Sequence, residues 1–237
     1  MKFILLFWFL CLSNRSYSQY SGGAEYSVLI GKDSLFQSQE VLKNIYDEAM
    51  DNSKKLTFLL EFNENESLFS LKESIITDNL DFTLSMIDFA NPIYTNSTTS
   101  EKMYTSDDNE YLITDSIVTD WKLTSETKMI DKYLCYKATT VHKVISHVRT
   151  FEFPVIAWYC PQIPVRLGPI GYGKLPGLIL ELQRRNFVYG VKNINLNNEK
   201  IEIKKPSKGH KISSQAYNAK LIEAYKRSKE DFERSKN

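Results

Sequence analysis

The sequence is short of the residues that announce an enzyme. Three histidines and three cysteines occur among 237 residues, with no HExxH or CxxC spacing, so no metal centre can be built from local ligands. His142 and His147, five apart in the sequence, read as surface histidines near a hairpin tip. No GxSxG elbow is present, which removes the usual local sign of a serine nucleophile. Gly171 and Gly173 precede Lys174, but the spacing is wrong for a phosphate loop and no Ser or Thr follows the lysine. Carboxylates are scattered as on a solvated surface, and no cofactor is expected. A dominant charge is also missing. The formal net charge is +1, and it becomes −1 once Lys2 and Arg15 are removed with a leader, so no global field favours nucleic acid or an anionic membrane.

Long apolar runs are missing except at one place. Lys2 is followed by unbroken apolar residues from Phe3 to Leu12, and then by the polar stretch Ser13 to Gln19. This is the three-part layout of a secretory leader, and the run is too short for a spanning helix, which needs about 20 apolar residues. Small residues at Ser16 and Ser18 place cleavage after Ser18, leaving Gln19 first. Leu10 stands before Cys11 where a lipoprotein leader has a small residue. The mature chain, residues 19–237, is expected to be exported, without an integral membrane span, and folded as one domain.

What is present is strand pattern, framed by two helical stretches. Glu25 to Ile30 reads as a strand, and Ser38 to Asn52 as an amphipathic helix with Val41, Leu42, Ile45, Tyr46, Ala49 and Met50 on one face. Leu56 to Phe62 and Ser67 to Leu71 form two strands joined by the polar turn Asn63-Glu64-Asn65. Ile75 to Thr99 reads as loop on its Asn91-Pro92 and Ser/Thr/Asn content. Strands are expected at Lys102 to Thr105, Glu110 to Thr114, Val118 to Thr124, Lys128 to Val141, Arg149 to Cys160, Leu178 to Leu182, Phe187 to Ile194 and Lys200 to Ile203. Ser213 caps a last helix with Tyr217, Leu221, Ala224, Tyr225 and Phe232 on one face, and Glu223/Arg227 and Glu230/Arg234 pairs outside. The fold class is therefore α+β, a curved antiparallel half-barrel-like meander with an N-terminal amphipathic helix and a C-terminal helix covering its apolar face.

The most distinctive segment is Ile163 to Leu182, in which Pro164, Pro169 and Pro176 remove backbone donors and Gly168, Gly171, Gly173 and Gly177 permit close approach. It reads as an ordered loop, with Gly168, Pro169, Gly173, Lys174, Leu175, Pro176 and Gly177 as its structural residues, feeding a buried strand at Leu178. With Trp121, the 128–138 strand, Ala157-Trp158-Tyr159, Ile163-Pro164 and Gly168-Pro169 in order, the segment resembles the GLPGLI family of exported Bacteroidota proteins, whose name motif falls on Lys174 to Ile179. Two departures stand out. Lys174 occupies the place of the motif's first Gly, and Glu152-Phe153 replaces the usual Gly-Arg. The resemblance implies an envelope location, in the periplasm or at the outer membrane, and a fold. It implies no reaction.

Two functional readings follow. Trp121, Tyr133, Trp158, Tyr159 and Tyr172 either fill an ordinary core or line the concave side of the sheet as a groove for an apolar ligand or lipidated partner. Alternatively, the GPIGYGKLPG loop recruits an envelope protein to which this chain is accessory, and Ile170, Tyr172 and Leu175 would then form an exposed apolar patch. Cys135 and Cys160 lie at equal distances from a hairpin centre between residues 147 and 148, so they face each other as either a disulfide or two buried thiols.

Overall fold

The computed structural model describes residues 20–38, 40–73, 79–146, 149–197 and 201–236. The expected leader and its cleavage site lie outside the described residues, as does His147. In chain order the elements are β1 (Ser21–Ile30), α1 (Ser34–Gln37), α2 (Glu40–Ser53), β2 (Thr57–Phe62), β3 (Glu66–Glu73), α3 (Leu80–Met86), β4 (Ile93–Asn96), β5 (Glu101–Thr105) and β6 (Tyr111–Ser116). Then come β7 (Lys122–Ile130), β8 (Tyr133–Ile145), β9 (Thr150–Cys160), a 3-10 turn (Pro169–Gly171), β10 (Leu178–Arg184), β11 (Phe187–Asn197), β12 (His210–Ser213) and α4 (Ser214–Arg234).

All twelve strands of the described residues form one sheet in the order β12-β6-β5-β4-β3-β2-β1-β11-β10-β9-β8-β7. Two meanders therefore meet at β1, and every pairing is antiparallel except β12 with β6. One connection forces the sheet to curve. In a flat sheet β6 and β7 would lie about 48 Å apart, ten strand spacings, yet residues 117–121 alone join them and reach at most about 21 Å. The sheet must bend into an open half-barrel.

Register identifies the concave face. Tyr26, Phe58 and Leu71 are paired across β1–β3, while Leu182 faces both Ala157 and Tyr189, so these side chains share one side. Two insertions of the chain cover it. Phe89, which follows α3, packs edge-on against Phe58 and Phe69 at 4.9 and 5.9 Å. The 163–177 segment spans from β10 to β4 and β5, since Gly168 abuts Ile179 while Gly171 abuts Ile93 and Lys102. The core is thus closed mainly by loop residues.

The helices contribute less than their patterns imply. In α2, Tyr46 and Ala49 are buried against the sheet, but Leu42 and Ile45 are 38% and 37% exposed. Ser213 caps α4 by accepting from the Ala216 N–H at 3.2 Å, and Arg227 and Arg234 pair with Glu223 and Glu230 as the spacing predicts. No α4 residue is buried, however, and Leu221, Tyr225 and Phe232 are 50–59% exposed. Its first turns are anchored through Tyr217 beside the Tyr111 ring at 5.7 Å, Lys220 Nζ donating to Tyr111 OH at 3.3 Å and Ser214 Oγ donating to Asp115 at 2.9 Å.

Other expectations are corrected. The loop over residues 75–99 contains α3 and β4, the 128–141 strand breaks at Asp131-Lys132 into β7 and β8, and the strand from Val118 begins only at Lys122. Residues 201–203 run without a ladder, although Ile203 is buried beside Tyr94, Met103 and Leu112. At the free edge, β7 carries an irregularity between Leu123 and Thr127, which disfavours further strand addition.

His142 lies in the β8–β9 hairpin opposite Phe153. Burial, reinforced by the positive charge of Arg184, Lys102 and Arg185, lowers its pKa from 6.5 to about 4. The unfolded chain therefore takes up this proton first as pH falls. The stability involved is fully present above about pH 6.5 and is lost progressively down to about pH 4, by about 1 kcal/mol after solvent screening. Melting midpoints from pH 7.5 to 4.5 should show this component in the native chain and its loss in His142→Asn.

Candidate functional site

The expected aromatic groove does not form, because register splits its residues between the two faces. Tyr159 pairs with Ile179 on the concave side and is 6% exposed, whereas Trp158 pairs with Glu181 on the outer side. There Lys128 Nζ lies 4.4 Å above the Trp158 ring and bonds Glu181 at 2.6 Å. Tyr133 shares that outer side, two residues before Cys135. Tyr172 is buried within the loop, 6.0 Å from Trp121, whose Nε1 donates to Gly173 O at 2.9 Å. Trp121, Tyr159 and Tyr172 belong to the packing that fills the concavity.

The GPIGYGKLPG loop is likewise an inward structure. Ile170, Tyr172 and Leu175 are 4%, 2% and 1% exposed, so they form no surface patch for a partner. Lys174 N donates to Arg166 O at 2.9 Å and Ile179 N to Leu167 O at 3.0 Å, which tie the loop onto itself and onto β10. Next to it, Arg184 is buried and pairs with Asp88 Oδ2 at 2.6 Å. Lys174 has φ +68°, a left-handed conformation that glycine adopts without strain and lysine does not. Its ammonium instead reaches across to donate to Ser97 O. Lys174→Ala loses that bond and keeps the backbone cost, while Lys174→Gly loses both. Chemical denaturation should find the Gly variant more stable than the Ala variant by about 1 kcal/mol.

Cys135 and Cys160 are buried free thiols. The β8–β9 register, with Tyr136 opposite Tyr159, sets them face to face. Their mutual interaction holds the Cys160 thiol below the usual thiol range and pushes that of Cys135 up.

A cleft of about 420 Å³ opens elsewhere, where Tyr20 and Ser21 meet the turns 63–66 and 96–99. The turns are side by side because Glu66 pairs with Asn96 in the β3–β4 ladder. Each turn is fixed by an asparagine. Asn63 Oδ1 accepts from Asn65 N and Glu66 N at 3.0 and 2.8 Å, and Asn96 Oδ1 accepts from Thr98 N and Thr99 N at 2.9 and 3.0 Å. Ser97 N donates to Asn65 O at 2.7 Å and locks one turn to the other, while Lys174 fastens the Ser97 carbonyl from behind.

Glu66 is the fixed charge of this cleft. Its Oε1 accepts from Tyr94 OH and from Asn96 Nδ2, the latter at 3.4 Å. Burial and the Glu66 bond push the Tyr94 pKa up to about 12, so the phenol stays protonated and remains a donor. Among the described residues no group of three His, Cys, Asp or Glu side chains could hold a metal ion. The cleft was hidden in the sequence because its residues are ordinary turn formers. The only signal was the Asn63-Glu64-Asn65 turn, and its neighbour 96–99 lay in the stretch read as loop.

Comparison with known proteins adds a family signal and a fold likeness. The family model Porph_ging, described as a protein of unknown function, matches residues 146–181, which run from the β8–β9 hairpin through the loop into β10. No curated protein sequence matches the chain. Two crystal forms of PNGF-II, in space groups P21 and C2, share the fold with TM-scores of 0.51 and 0.50 at 15% and 16% identity. The likeness covers 84% and 86% of this chain but 32% of PNGF-II, so the chain spans about a third of that protein's length.

Proposed function

We propose that the mature chain is an exported binding module of the cell envelope, in which a rigid half-barrel presents the cleft between turns 63–66 and 96–99 to a small polar ligand. The observation that carries this reading is the contrast between two concavities. The concave face of the sheet, where the aromatic residues predicted an apolar ligand, is occupied by Phe89, Ile170, Tyr172 and Leu175, all buried. The cleft is open, and its amide, hydroxyl and carboxylate lining is fixed by turn hydrogen bonds. Export rests on the leader pattern of residues 1–18, and no helix of the described residues is long and apolar enough to cross a membrane.

The test is native mass spectrometry of the protein purified from its host envelope, with N-terminal sequencing. The reading expects Gln19 as the first residue and a co-purifying polar small molecule. A retained leader would overturn export, and a stoichiometric lipid would return the ligand to the apolar class. The same spectra report whether Cys135 and Cys160 are bridged in that compartment.

A second reading, an accessory subunit recruited by an envelope protein, is favoured by a specific observation. Leu221, Tyr225 and Phe232 of α4 are half exposed, whereas the loop expected to dock is buried. Under this reading a protein partner co-purifies and is lost when residues 214–234 are deleted.

A further inference from the structure

We propose that the cleft takes a neutral, polyhydroxylated ligand, a carbohydrate chain or its end. This rests on reading the cleft as the binding site and names the class of molecule it fits. Asn63 and Asn96 spend their amides on the turns, on the Ile201 carbonyl and on Glu66, so the lining offers a ligand the Asn65 amide, the Thr98 and Thr99 hydroxyls and the carboxylates of Glu64 and Glu66. Such a set matches sugar hydroxyls, each of which both donates and accepts. An apolar ligand would strand these groups without partners, at the cost of unmet hydrogen bonds. An anionic ligand would meet two carboxylates and no lysine or arginine in the lining. Tyr20 supplies the single aromatic ring, an apolar surface suited to the C–H face of a pyranose.

Glu66 organises the site. The hydrogen bonds that it accepts from described residues fall on Oε1, so Oε2 keeps the strong acceptor capacity of a carboxylate for a ligand. The carboxylate is also pre-set, because Tyr94 is 1% exposed and holds Oε1 from below. Asn65 and Thr98 stand on opposite turns joined by the Ser97 N to Asn65 O bond, so a ligand between them meets donors and acceptors already in place and loses little on ordering the protein. The volume of about 420 Å³ lies within the range of small-molecule sites and suits one or two sugar rings.

The experiment is a screen of residues 19–237 against an array of neutral and acidic oligosaccharides, followed by amide NMR titration with the best neutral binder. Calcium chloride and inorganic phosphate are titrated separately as probes. The proposal expects the neutral sugar to move the amides of 63–66 and 96–99. Glu66→Gln should weaken it roughly tenfold or more, as expected for a hydrogen bond to a charged group, with the amide spectrum away from the cleft still that of the folded chain. Asn65→Ala, at an exposed turn tip, should weaken it severalfold and guards against a folding defect in the first variant. Calcium or phosphate moving these amides while sugars do not would overturn the carbohydrate class and leave the cleft as the binding site. Cleft amides unmoved by every probe would overturn both.

Discussion

Gly177→Ala should cost roughly 3–5 kcal/mol of stability, the range of severe backbone conflicts. A Cβ at Gly177 would lie 2.2 Å from Cys160 O and 2.4 Å from Cys160 C, closer than any side chain tolerates. Its φ of +158° adds strain for an L residue. The carbonyl cannot move aside cheaply, because Cys160 O also accepts from Ile163 N at 3.2 Å and Leu178 N holds Ile163 O at 2.9 Å. The glycine of the Leu-Pro-Gly-Leu stretch is thus required where the loop passes the end of β9 and turns into β10. Denaturant unfolding measures the loss, with Gly190→Ala as the comparison. Nothing lies within 4 Å of a Cβ built at Gly190, and that variant should stay within about 0.5 kcal/mol of the native chain. Equal losses for the two would show that the contact at Gly177 is not the cause.

The same loop shows what a sequence can disclose. Its prolines and glycines excluded regular structure before Leu178, and β10 does begin there. The direction in which the loop faces was not legible, because burial depends on the curvature that brings β4 and β5 opposite β10. Strand existence followed from local alternation, as in β2, β3 and β9, while the hairpin at Asp131-Lys132 escaped because no glycine marks it. Asp131 itself adopts φ +50°, a conformation aspartate accepts more readily than most residues. Helix α3 escaped for a different reason. Leu80–Met86 spans only two turns and starts after Asn79 at φ +54°, and its Leu80, Phe82, Leu84 and Met86 also alternate with the period of a strand, so a segment this short does not declare itself a helix. β12 pairs in parallel with β6 across a long connection, a contact that local pattern does not encode.

The candidate site was less legible than the fold, and the reason is physical. The residues of the candidate cleft sit on turns, where Asn, Thr and Glu are common for conformational reasons alone. Only the ladder pairing of Glu66 with Asn96 converts two commonplace turns into one cleft. Aromatic residues misled for the converse reason. Tyr159 and Trp158 are adjacent in sequence, and strand alternation sends adjacent side chains to opposite faces.

Phe58→Ala should cost about 3–5 kcal/mol, whereas deletion of residues 214–234 should cost less than about 1 kcal/mol, reversing the weight that sequence pattern gives to α4. Phe58 is fully buried and stands where three parts of the chain converge. Its ring stacks on Phe69 of β3 at 5.2 Å and meets Phe89, which follows α3, and Tyr189 of β11 edge-on at 4.9 and 5.4 Å. Truncation would leave a void bordered by large, mutually braced rings, which cannot collapse to fill it. In α4 no residue is buried, so its removal exposes little beyond the Tyr111 and Asp115 contacts of its first turns. The two measurements discriminate between ways of closing the half-barrel. A large loss on deleting α4 would mean that the helix covers the sheet in solution; a small one, with a large loss at Phe58, would mean that the inserted segments around Phe89 and Tyr172 complete the core and leave α4 available for another role.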